Sequence, residues 1–130
     1  MVKSRKRTHG EHNESLSKEL LGGKKYYDWV ITTAFYSVIH LIEDKLLPIT
    51  INGAQCENIS KVRKAYKVQG KHTARERLVS LEASSISTRY KWLDDRSRNA
   101  RYTTFKITPA EAHKAAQYLN EIKVFCSTDK

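Results

Sequence analysis

Between Lys24 and Leu47, Tyr27, Ile31, Phe35, Ile39, Ile42 and Leu46 recur every three or four positions, beside a second row of Val30, Ala34, Val38 and Leu41. That period predicts a helix, and one apolar over a wide arc of its circumference. Such a helix needs neighbours on several sides, which makes it the centre of a bundle. Pro48 ends it, because the residue before a proline is pushed out of helical geometry.

The remaining pattern is also helical. Ser15 to Leu21 forms a short helix stopped by Gly22-Gly23, which disfavour continuation and permit a left-handed cap. Residues 48–70 form a loop turning at Asn52-Gly53 and holding one short basic helix, with Ile59, Val62 and Tyr66 at helical spacing. The next helix, His72 to Ala83, turns Ala74, Leu78 and Leu81 inward and Arg75 and Arg77 outward; Ser84, Ser85 and Ser87 then supply a break and a new N-cap.

From Ile86 to Thr103 the inward positions are Ile86, Tyr90, Leu93, Ser97 and Ala100. Finally, Thr108-Pro109-Ala110-Glu111 combines an N-cap threonine, a proline at the first helical position and a glutamate placed to close a capping box. Behind it Ala112, Ala115, Ala116, Leu119 and Ile122 face inward. No segment shows strand alternation, so the expected fold is all-α, an up-and-down bundle of four to five helices. One domain, 13–127, follows a basic flexible arm, 1–12, in which Lys3, Arg5, Lys6 and Arg7 occur with no apolar residue between Val2 and Leu16.

Charge sharpens the picture. The 130 residues carry 24 Lys plus Arg against 14 Asp plus Glu, a formal +10. Nucleic acid is the commonest partner of such a surface, because cationic side chains release counterions condensed on phosphates. Contact is expected over Lys61 to Arg77 and Arg89 to Lys106. No apolar run reaches membrane-spanning length and no secretory pattern is visible, so the expected compartment is the cytoplasm, with no membrane partner. Cys56 and Cys126 are read as reduced thiols. His9, His12, His40, His72 and His113 do not cluster with them at ligand spacing, so no metal and no cofactor is expected.

The strongest candidate for chemistry is Ser97-Arg98-Asn99-Ala100-Arg101-Tyr102. Arg98 and Arg101 lie three residues apart on neighbouring positions of one helix, and a guanidinium fork suits phosphate oxygens. The competing reading pairs Arg98 with Asp94 or Asp95 one turn earlier. Asn99 and Tyr102 complete the candidate nucleic-acid surface, joined by Lys71 and Arg75 beside His72 at the start of another helix. Trp29, Tyr66, Tyr90, Trp92 and Tyr102 offer base stacking or core packing, and only an exposed aromatic next to the arginines favours RNA. On the central helix, His40 is either a buried hydrogen-bonded histidine or an acid–base group meeting Arg98 across the bundle, with Asp28, Tyr36 and Ser37 as the surrounding polar cluster. Phosphate-binding glycine loops and the short serine-hydrolase and zinc-protease motifs are absent. A helix-turn-helix over residues 59–83 lacks a clear recognition helix.

Asp28-Trp29, Phe35-Tyr36-Ser37-x-x-His40 and Ser97-Arg98-Asn99-Ala100-Arg101-Tyr102 together resemble the HEPN family, named for nucleotide binding in higher eukaryotes and prokaryotes, over most of residues 24–125. The resemblance implies a helical bundle that forms a homodimer and binds or cuts RNA without metal. Catalytic members carry a histidine about four to six residues after the arginine matched by Arg98, whereas this chain has Tyr102, Thr103 and Thr104 there. The expectation is therefore a homodimeric RNA-binding protein with weak or no ribonuclease activity, Arg98 and His40 being the candidate catalytic pair. The alternatives are an active metal-independent endoribonuclease toxin with an antitoxin partner, and a non-catalytic subunit paired with a nucleotidyltransferase or defence-system protein.

Overall fold

The computed structural model describes residues 4–128. They form an all-α bundle of six helices with one short hairpin: α1 (Arg5–Gly23), α2 (Tyr27–Leu46), β1 (Ile49–Ile51), β2 (Ala54–Cys56), α3 (Ile59–Tyr66), α4 (Lys71–Glu82), α5 (Ser87–Tyr102) and α6 (Pro109–Ser127). No helix among these residues is long and apolar enough to cross a membrane.

As its two apolar rows require, α2 is central, packing against α1, α5 and α6. Ile31, Ala34, Phe35, Val38, Leu41 and Ile42 are buried in one cluster with Tyr90 and Leu93 of α5 and with Ala115, Leu119 and Ile122 of α6. The inward set of α5 is the one its spacing predicts, and the capping box of α6 forms between Thr108 and Glu111. A second cluster, built from Leu47, Ile51, Cys56, Ile59, Val62, Ala74 and Leu78, joins the hairpin to α3 and α4.

Four local expectations change. First, residues 5–12 are not an arm but the opening turns of α1, N-capped by the Ser4 hydroxyl accepting from the Arg7 amide at 3.0 Å; Val2 and Lys3 lie outside the described residues. Gly10, Glu14 and Ser17 face inward, a stripe at helical spacing that carries no large apolar residue. Its contacts are polar or close. The Ser37 hydroxyl donates to the Gly10 carbonyl at 2.7 Å, the Ser17 hydroxyl donates to the Val30 carbonyl at 3.0 Å, and Lys123 holds the buried Glu14 carboxylate at 2.9 Å. The helix ends where the glycines predict, although the left-handed residue is Lys24, at φ 56°.

Second, residues 49–56 form a hairpin rather than a loop. Ile49 faces Cys56 and Ile51 faces Ala54 across a two-residue turn, Asn52 and Gly53, whose φ values are 50° and 81°. Left-handed geometry at both turn positions is what a tight antiparallel hairpin needs. Third, Leu81 is exposed at 64%, and Val79 takes the inward place expected for it. Fourth, the serines after α4 form a short 3-10 turn, Ser84–Ile86, and α5 starts with no side-chain cap; the Ser87 hydroxyl instead donates to the Ser84 carbonyl.

Candidate nucleic-acid interface

Where α2 begins and α5 ends, the two helices enclose a cleft of about 540 Å³ lined by Asp28, Trp29, Thr32, Arg101, Tyr102 and Phe105. The Arg101 guanidinium lies 5.5 Å from the Tyr36 ring centroid and 5.3 Å from that of Tyr102. Both separations are within cation–π reach. The Nη1 atom of Arg101 is buried without a hydrogen-bond partner. Around it stand four exposed aromatics, Trp29, Tyr36, Tyr102 and Phe105, with Tyr102 at 82%. The result is a cation beside accessible ring faces, with a carboxylate, Asp28, lining the same cleft.

The sequence expectation of one polar locality holding Asp28, His40, Arg98 and Arg101 is met only in part. Asp28 and Arg101 share the cleft. Arg98 turns back one helical turn, placing Nε 3.3 Å from Asp94 Oδ1. His40 stacks on His9 of α1 with ring centroids 3.9 Å apart, and no hydrogen bond or ion pair joins it to Arg98. Burial, reinforced by the neighbouring His9, holds the His40 pKa below its ordinary 6.5; Glu43 works against the shift, while Arg75 and Lys6 add to it. His40 is thus biased towards the neutral imidazole.

The other candidates divide between surface and interior. Tyr36 lies within cation–π reach of Arg101, whereas Ser37 is fully buried and spends its hydroxyl on Gly10. Asn99 is half-buried, and its carbonyl accepts from the amides of Thr103 and Thr104, closing α5. Lys71 is exposed at the first position of α4. Arg75 points inward, not outward, and pairs with the buried Glu43 at 2.7 Å, which removes it from the expected contact surface. Phe105 was missed by sequence reasoning, because a lone phenylalanine after a helix end reads as core until the backbone turns it out.

A second polar locality lies between α4 and α5. His72 Nε2 sits 3.3 Å from Asp94 Oδ2 and 3.7 Å from Glu76 Oε2. Asp94 is almost fully buried; desolvation raises its pKa, against the lowering influence of His72 and Arg98. Comparison with family models finds no match for this chain. Neither curated proteins nor solved structures give one.

Proposed function

We propose that this chain is an RNA-binding protein, a homodimer similar to HEPN domains, that engages single-stranded RNA through the Arg101 cleft and has weak or no ribonuclease activity. The observation that carries the reading is the position of Arg101 between the exposed rings of Tyr36 and Tyr102. Base–aromatic stacking tolerates any sequence, because every base has a π-face, and a guanidinium charge beside those faces suits a phosphate between stacked bases. The +10 charge supplies the long-range attraction.

The same geometry supports the reading of weak cleavage. Attack of a ribose 2'-hydroxyl on its own phosphate needs a positioned acid and base near the cation that stabilises the phosphorane. His40 stacks on His9 and Arg98 pairs with Asp94, so the two groups that would share this work are committed elsewhere. The homodimer is supported by an apolar hollow of about 360 Å³ on the α1–α2 face, where Leu16, Tyr26 and Trp29 are all exposed. Burying such a patch against its own copy satisfies two-fold symmetry.

The deciding experiment is fluorescence anisotropy with a labelled single-stranded RNA, over a range of salt, for the unaltered chain and for Arg101→Ala. Binding that weakens steeply with salt and falls again on loss of Arg101 supports the reading. No binding at low ionic strength overturns it. Light scattering at micromolar concentration decides the dimer.

A further inference from the structure

We propose that His72, Glu76 and Asp94 form a binding site for a divalent first-row transition ion, with Zn²⁺ the best fit. The proposal is independent of the RNA reading. His72 and Glu76 stand one turn apart on α4, and Asp94 reaches them from α5. Their nearest ligand atoms all lie within 4.8 Å of one another. Zinc takes imidazole nitrogen and carboxylate oxygen at about 2.0–2.2 Å, which sets the edges of its tetrahedron at about 3.3–3.6 Å. The separations of 3.3 Å from His72 Nε2 to Asp94 Oδ2 and 3.7 Å to Glu76 Oε2 are near those edges. One imidazole with two carboxylates is a donor set for zinc or manganese, whereas calcium and magnesium prefer oxygen alone.

A buried atom points to a ligand beyond the cluster's own pairing. Asp94 Oδ1 has no hydrogen-bond partner, since Arg98 Nε at 3.3 Å is close enough to attract it but not directed at it. A buried carboxylate is expensive without full compensation, and a bound cation supplies it. Access is open, because the His72 and Glu76 side chains are 37% and 44% exposed, leaving room for water to complete the coordination. Lys91, 3.9 Å from Glu76, and Arg98 are the nearby cations, and both are exposed enough to swing aside.

The test uses the full chain, stripped with EDTA and titrated with Co²⁺ as a spectroscopic probe and then with Zn²⁺. Saturable visible absorption of a one-to-one, low-coordinate Co²⁺ complex, displaced by Zn²⁺, is expected. His72→Ala and Glu76→Gln should each weaken binding by more than about tenfold. His9→Ala, which removes one ring of the stacked histidine pair, should leave it unchanged. Circular dichroism on each variant separates loss of ligand from loss of fold, and the two partly exposed α4 substitutions keep the test open if Asp94→Asn fails to fold. Absence of saturable binding overturns the proposal. So does binding that survives His72→Ala, or that vanishes in His9→Ala.

Discussion

The Ser37 hydroxyl donates to the Gly10 carbonyl at 2.7 Å, tying the first helix to the central one at a point where their backbones nearly touch. A Cβ on Gly10 would lie 2.9 Å from Leu41 Cγ and 3.2 Å from the Ser37 carbonyl oxygen. Alanine favours a helix interior by about 1 kcal/mol over glycine, but overpacking costs about 1–3 kcal/mol, and the Ser37 carbonyl is backbone that cannot swing aside. Gly10→Ala is therefore expected to destabilise the chain by about 1 kcal/mol. Urea unfolding checks it, and an unchanged or raised midpoint would show that the helices part without cost.

The same contact explains what the sequence conceals. Hydrophobic periodicity finds α2, α5 and α6 because their inward positions are apolar at the helical period; Tyr90, Leu93 and Ala100 are buried as their spacing requires. It fails for α1, whose inward stripe is Gly10, Glu14 and Ser17, held by hydrogen bonds and an ion pair with residues far along the chain. The hairpin was hidden because its strands are three residues long, too short for alternation to register, although Asn52-Gly53 is a known signal for it. Of the candidate site, the Arg101–Tyr102 pair was legible as adjacent residues. Its union with Tyr36, and the meeting of His72 with Asp94, depend on how α2, α4 and α5 cross, which no local spacing records.

Arg101 and Tyr102 should act on RNA in different ways. Tyr102→Ala removes a stacking face and is expected to weaken binding by about 1–3 kcal/mol with little change in salt dependence. Arg101→Ala removes one phosphate contact, lowering the slope of log affinity against log salt by about one. Anisotropy titrations at several salt concentrations separate the two, and identical slopes for both variants would remove the assigned roles.

Arg98→Ala should act mainly on stability. Its guanidinium neutralises Asp94, whose side chain is 2% exposed, while Arg98 itself is half in solvent. Burial already raises the Asp94 pKa above its ordinary 3.8, so its ionisation opposes folding as pH rises, and Arg98 offsets part of that cost. The substitution is expected to cost about 1 kcal/mol at neutral pH. The loss should shrink as pH falls through the Asp94 titration, where a protonated carboxyl no longer needs the cation. A deficit that does not vary with pH would show that the pair is not its source.

His40 predicts the opposite slope. Its folded pKa lies below the unfolded 6.5, so between those values the unfolded chain binds more protons and stability rises with pH. Acidification from about pH 7 should therefore weaken the fold, beginning near the unfolded histidine pKa and ending below the folded one. The groups around it, His9, Glu43, Arg75 and Lys6, remain in His40→Gln, which should flatten this part of the profile. Thermal melts of both proteins in a pH series check it, and superimposable profiles would dismiss His40 as the titrating group.

The proposed weakness of cleavage can be measured directly. Mixed RNA incubated in EDTA with the purified chain should remain essentially uncut, because loss of a positioned acid and base removes about two to four powers of ten in rate. The Arg98 guanidinium lies against Asp94, and the His40 ring lies against His9. Neither is placed to act on a scissile phosphate together with the other. Robust cleavage leaving 2',3'-cyclic ends, abolished by both Arg98→Ala and His40→Ala, would mean that RNA binding breaks the His9–His40 stack and recruits His40 as the missing acid or base. Cleavage unaffected by either substitution would exclude both Arg98 and His40 as its catalysts.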